Sequence, residues 1–147
     1  MSLTDAEFEE QRQRILALID RWQTCLGLRW WKVTHTYERG EYHSNGSYAP
    51  EVVANTAVMW EYLHATVTWN MTKVADQDAD DLEYAFVHEC MHVLVHEMRV
   101  WRPNGEPPII NEMEREHEER VCTQLAKAFI WTRAADRVED THVEEGW

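Results

Sequence analysis

The sequence has no long hydrophobic run, few cysteines and few basic side chains. None of its 147 residues belongs to a run of about eighteen apolar residues, which a membrane-spanning helix requires. Its three cysteines are odd in number, widely spaced and without a CxxC pair, which argues against a disulfide framework and favours reduced thiols. Only 14 Lys and Arg oppose 27 Asp and Glu, and the resulting charge of -13 makes binding to nucleic acid over a broad surface unlikely.

What is present is typical of a folded globular protein. Hydrophobic residues make up 44% of the chain, which is enough to build a core. The length is that of one domain, so we expect a single domain over residues 1–147 with a frayed acidic tail at 139–147. The first seven residues are acidic and lack the order of a signal peptide, so we expect a cytoplasmic protein.

Hydrophobic periodicity predicts a helix at each end of the chain. The first covers about residues 4–25, where Thr4 and Glu7 form a capping box and Gly27 ends the segment. The last covers about residues 111–138. Its predicted inward stripe consists of Val121, Leu125, Ala128 and Phe129.

Aromatic and β-branched residues predict strands at 29–37, 51–59 and 64–71. The third alternates clearly, which indicates one buried and one solvated face. Its predicted inward residues are Ala65, Val67, Trp69 and Met71, and its outward residues are His64, Thr66, Thr68 and Asn70. Glycines and prolines predict a loop at 39–50 and a break at 102–108.

A central helix is predicted from an acidic start at residues 76–81 to about residue 98. Its apolar residues cover most of the helix circumference, as expected of a helix buried on several sides. Together these elements predict an α+β fold. A small antiparallel or mixed sheet packs on the central helix, with helices at both termini.

The central helix contains an HExxH motif, from His88 through Glu89 to His92. Residues four apart lie on one helix face, so both imidazoles can reach one metal ion. Glu89 lies about 100° around the helix and can touch a metal-bound water without being a ligand. The motif predicts a metal site in which Glu89 accepts a proton from that water.

A third ligand must come from elsewhere in the chain. His96 continues the spacing but lies about 12 Å along the helix from His88, too far to share the ion. Glutamates near the start of the last helix are better candidates, and two are weighed. Glu118 aligns with Val121, Leu125 and Phe129, whereas Glu119 aligns with the small residues Cys122, Thr123 and Ala126. Small residues allow close helix approach, which favours Glu119, but periodicity leaves Glu118 open.

With these residues the chain resembles a small gluzincin-type zinc metallopeptidase of the kind found in phage and bacterial genomes. The likeness covers about residues 30–131 and rests on HExxH and on Glu119 followed by small residues at 122, 123 and 126. It implies a zincin-like fold with Zn²⁺ bound by His88, His92 and Glu119, and with Glu89 as the general base.

The sequence departs from that family at two points. Thr123 stands where an Asn or Asp is usual, four residues after the glutamate ligand, so a bond from it to a zinc-bound histidine would be weaker or different. No residue clearly matches the Tyr or His that stabilises the oxyanion. The candidates for that role are His117, Tyr84, Tyr42 and Tyr48.

Three functions follow as expectations. The first is a zinc-dependent metallopeptidase that hydrolyses peptide bonds with a zinc-bound water activated by Glu89. Its peptide or protein substrate would add alongside the strand at 64–71. The alternative is a non-catalytic, zinc-stapled acidic protein that binds a host or phage partner, motivated by the charge of -13. A third is a metal-dependent hydrolase of something other than peptides.

Overall fold

The computed structural model describes residues 2–39, 52–96 and 111–143. These residues form an α+β fold in which a three-stranded mixed sheet is combined with several helices. The coarse fold class expected from the sequence is therefore confirmed. Most of the predicted loop at 39–50 and all of the predicted break at 102–108 lie outside the described residues.

The first helix, α1, spans Asp5–Leu18. The predicted capping box is present, because the Thr4 backbone N–H donates to Glu7 Oε2 at 2.8 Å and the Glu7 backbone N–H donates to Thr4 Oγ1 at 3.3 Å. Beyond α1 the chain continues as a π-helical turn, Ile19–Gln23. Gly27 ends the segment at a φ of 81°, a conformation that other residues rarely adopt.

The three strands are β1 (Lys32–Glu38), β2 (Ala54–Met59) and β3 (His64–Asn70). The first begins later than predicted because Leu28–Trp30 form a 3₁₀ turn. Strand β3 is central and pairs in parallel with β1 and antiparallel with β2. Since both edges of β3 are paired, the expectation that a peptide adds alongside this strand is wrong.

The alternation predicted for β3 is confirmed along most of its length. Ala65, Val67 and Trp69 are buried on the face toward the helices, while Thr66 and Thr68 are half-buried on the other. Asn70, predicted to face solvent, is 5% exposed, so that prediction is wrong. The strand ends at Asn70, whose backbone N–H donates to Val53 O at 2.9 Å, and the chain turns there into the next helix.

Three further helices complete the fold: α2 (Met71–Ala75), α3 (Ala79–Val95) and α4 (Glu112–Val143). Asp78 caps α3 by accepting a hydrogen bond from the Asp81 backbone N–H at 2.8 Å. The prediction that α3 is central is confirmed by its buried residues, which include Leu82, Phe86, Val87, Cys90, Met91 and Val93. Helix α3 is described as far as Val95, residues 97 and 98 lie outside the described residues, and α4 continues past the predicted end at 138.

Helix α4 packs against α3 through small residues. Cys122 and Ala126, one turn apart, are both fully buried. The bulky inward stripe predicted for this helix is wrong for Val121 and Phe129, each 41% exposed, and for Ala128, which is also exposed. Small side chains permit a shorter distance between helix axes, so the bulkier residues lie beside the contact rather than in it.

Candidate metal centre

Two histidines of α3 direct their ring nitrogens to one point. His88 and His92 are one turn apart, and their Nε2 atoms are 3.1 Å from each other. Each side chain is 15% exposed, so both imidazoles are largely shielded from solvent. The geometry follows from the four-residue spacing, which stacks both imidazoles on the same face of the helix.

The third group at this point comes from α4. Glu119 places Oε2 3.0 Å from His88 Nε2 and Oε1 3.1 Å from His92 Nε2. Zinc bonds of about 2.0–2.1 Å in a tetrahedron separate neighbouring ligand atoms by about 3.3 Å, close to the distances between these three groups. His88, His92 and Glu119 therefore have the donor chemistry and spacing to hold one metal ion.

Glu118 and Glu119, which the sequence could not separate, contact different nitrogens. Glu118 Oε1 lies 3.0 Å from His92 Nδ1, on the opposite side of the ring from Glu119. The Glu118 side chain is 11% exposed, whereas that of Glu119 is 53% exposed. Glu119 thus faces the opening of the site, and Glu118 lies behind His92.

Glu89 is almost enclosed. It is 8% exposed, and Thr56 of β2 donates a hydrogen bond from its hydroxyl to Glu89 Oε2. Burial raises the pKa of Glu89, although the Thr56 hydrogen bond and the two histidines lower it in part. Sequence reasoning missed Thr56, because nothing in an unremarkable strand residue indicates which helix residue it will contact.

The site favours positive charge at its centre. Burial lowers the pKa of His92, but its contacts with Cys122, Glu118 and Glu119 outweigh burial, so the pKa lies above its usual range. Hydrogen bonds from His88 and His92 hold the pKa of Glu119 well below its usual range. Without metal, a proton on His92 supplies the charge, and a divalent cation would replace it.

The remaining candidates occupy varied positions. His96 is the C-cap of α3 and is half-buried, and His117 is exposed on α4. The Tyr84 ring is centred 5.9 Å from the His88 ring. Tyr42 and Tyr48 lie outside the described residues.

No protein-family model matches the chain, and no curated protein or solved structure is detectably similar to it. In the part of the chain that the structure describes, no helix is long and apolar enough to cross a membrane. The site is therefore characterised by its geometry, in which two histidines of one helix and a glutamate of the next converge beside a buried glutamate.

Proposed function

We propose that this protein is a zincin-like, metal-dependent hydrolase whose site is formed by His88, His92, Glu119 and Glu89. The observation that carries the proposal is the convergence of three donor groups, with separations of 3.0–3.1 Å, from two packed helices. An HExxH sequence alone supplies two of these groups. The third comes from Glu119, 27 positions after His92. In the gluzincin peptidases that the sequence resembles, a later helix likewise supplies a glutamate.

Zinc is the ion we propose, because two imidazoles and one carboxylate are ligands that suit it. When bound, zinc supplies Lewis acidity, which polarises a carbonyl and lowers the pKa of water toward about 7. Three protein ligands are the usual set of a catalytic zinc site, which keeps a further position for water or substrate. The 53% exposure of the Glu119 side chain is consistent with such an open site.

Glu89 is the proposed general base. Its carboxylate would accept a proton from the attacking water and pass it to the leaving amine. A pKa raised by burial suits this role, since a general base works best when its pKa lies near the operating pH. The Thr56 hydroxyl would hold Oε2 of this carboxylate in place and leave its other oxygen for the proton transfer.

Peptides are the substrate class we propose, with β2 as the strand along which the substrate lies. Strand β2 carries Thr56, which contacts Glu89, and it pairs with β3 along one edge only within the described residues. A peptide could therefore add to its other edge by backbone hydrogen bonds. A hydrolase of another substrate would use the same ligands, so digestion of a peptide library is the direct test of the class.

The non-catalytic alternative is supported by the net charge of -13. A zinc-stapled acidic protein would compete for basic surfaces, and its ion would be fully ligated by protein. The half-exposed Glu119 and the enclosed base Glu89 favour the hydrolase.

The decisive experiment measures the metal content of tag-free protein after extensive dialysis. We expect about one zinc per chain in the wild type and in His117→Ala, which removes an exposed histidine of α4. We expect little or none in His88→Ala and His92→Ala. A folded wild type without metal would refute the proposal.

A further inference from the structure

The Nδ1 atoms of His88 and His92, which lie on the ring side away from the shared point, differ in their surroundings. His92 Nδ1 lies 3.0 Å from Glu118 Oε1, with the Cys122 sulfur at 3.6 Å. His88 Nδ1 is buried and has no hydrogen-bond partner among the described residues. Among the described residues, a side chain therefore contacts Nδ1 of His92 but not Nδ1 of His88.

We propose that Glu118 is a positioning residue that orients His92 for metal binding. A carboxylate accepts but does not donate, so the short contact fixes the proton of the ring on Nδ1. When a metal ion replaces the second ring proton, the lone pair of Nε2 is then directed at the centre shared with His88 and Glu119. This inference rests on the proposed function, since it requires a metal at that centre.

Two neighbouring residues can take both sides of one ring because of helix geometry. Successive side chains leave a helix about 100° apart, so Glu118 and Glu119 can flank His92 without distorting α4. The buried contact of Cys122 and Ala126 brings α4 close enough to α3 for both glutamates to reach. Glu118 thereby contacts a histidine of the site from a different position than Thr123, which the family resemblance pointed to.

The burial of Glu118 supports a specific role rather than a solvated one. Its side chain is 11% exposed, and a carboxylate is rarely removed from water to that degree without strong partners. A thiol is a weak hydrogen-bonding group, so the contact from Cys122 adds little to the orientation of His92. Carboxylates behind a metal-bound histidine typically contribute 10–100-fold to metal affinity.

The test compares three Glu→Gln variants, each of which removes one negative charge from the same helix. Glu118→Gln alters the proposed positioning residue, Glu119→Gln alters the proposed ligand, and Glu116→Gln alters an exposed residue. Zinc and cobalt affinities are measured by competition with a chelator of known affinity. Circular dichroism checks folding, and Glu118→Asp serves as the conservative variant that retains the charge.

We expect Glu118→Gln to bind one metal with affinity lowered about 10–100-fold, and Glu118→Asp to lie between it and the wild type. The cobalt absorption spectrum of Glu118→Gln should retain the wild-type ligand pattern, because no ligand has been removed. In the zinc-loaded protein, the NMR signal of the His92 Nδ1 proton should move, which a merely structural role would not cause. Glu119→Gln should lose more affinity and change the cobalt spectrum, and Glu116→Gln should match the wild type.

Wild-type affinity in Glu118→Gln would overturn the inference and leave the proposed function intact. A reversed pattern, in which Glu118→Gln changes the cobalt spectrum and Glu119→Gln does not, would also overturn it, because Glu118 would then be the ligand. A wild type that binds neither zinc nor cobalt would overturn the proposed function and this inference together.

Discussion

Glu89 is distinguished from Glu119, the proposed carboxylate ligand, by its enclosure. It is 8% exposed and receives a hydrogen bond from Thr56, whereas the Glu119 side chain is half-exposed. Burial raises the pKa of Glu89, while the histidines hold that of Glu119 well below its usual range. Two carboxylates with such different environments suit two roles, one as base and one as ligand.

Glu89→Gln should therefore separate chemistry from metal binding. The amide preserves size but cannot accept the proton, so we expect hydrolysis to fall about 10²–10⁴-fold with the metal content unchanged. The measurement is the cleavage rate of peptides selected from a library by the wild type, with zinc content determined in parallel. Asp80→Asn removes a charge from an exposed position of α3 and should leave the rate unchanged. Cleavage by Glu89→Gln at the wild-type rate would contradict the assigned base.

At the scale of elements, the site depends on how closely α4 approaches α3. Cys122 and Ala126 are fully buried in this contact, and they lie one and two turns beyond Glu119 on the same side of α4. The distance between the two helices therefore sets the distance from the carboxylate to His88 and His92. The packing of small residues and the geometry of the site therefore depend on the same contact between α3 and α4.

Enlarging Ala126 should weaken both the packing of α4 on α3 and the binding of metal. Ala126→Leu places extra volume in a closed contact, and we expect a loss of about 1–3 kcal/mol in the free energy of unfolding with weaker metal binding. Ala128→Leu is the matched control, because Ala128 is exposed on the same helix and the substitution should change stability by about 0.5 kcal/mol or less. Urea unfolding of the metal-free proteins and zinc titration measure the two effects. Equal behaviour of the two variants would contradict this account of the helix contact.

Local patterns in the sequence were sufficient for the elements but not for their docking. Periodicity predicted α3 and the inward face of β3, because both depend on residues close together in the chain. It misassigned the inner stripe of α4, since the apolar residues Val121 and Phe129 satisfy the same period as the small ones. Which stripe is buried depends on α3, and that information is not local.

The same limit applies to the candidate site. His88, Glu89 and His92 could be selected from the sequence because their spacing within one helix has a direct meaning. Glu118 and Glu119 could not be separated, because a choice between them requires the rotation of α4 against α3. Thr56 could not be found at all, since its contact with Glu89 depends on the order and register of the sheet.

At the scale of the whole molecule, a half-buried histidine joins the sheet to the helices. His35 of β1 stacks on Trp69 of β3 and Phe86 of α3, with ring centroids 6.3 and 5.8 Å away. The Trp69 indole N–H donates to His35 Nδ1 at 3.1 Å, so the opposite nitrogen carries the proton and donates to Gln23 Oε1 at 3.0 Å. The neutral ring satisfies both partners, and a second proton would displace the bond from Trp69.

This arrangement predicts how the stability of the metal-free protein depends on pH. Burial lowers the pKa of His35 from 6.5 to about 4. Because the folded pKa is the lower one, the unfolded chain binds the proton first, and stability is fully present above pH 6.5 and lost as the pH falls toward 4. We expect His35 to account for about 2–3 kcal/mol over this range.

The measurement is urea unfolding from pH 4 to 7 of the wild type and of His35→Gln, whose amide can accept from Trp69 and donate to Gln23 without titrating. The difference in unfolding free energy between the two proteins isolates His35 from the carboxylates and from His92, which they share. The unfolding free energy of the wild type, relative to that of His35→Gln, should fall as the pH falls. A difference that stays constant across the range would show that His35 does not titrate as its burial requires.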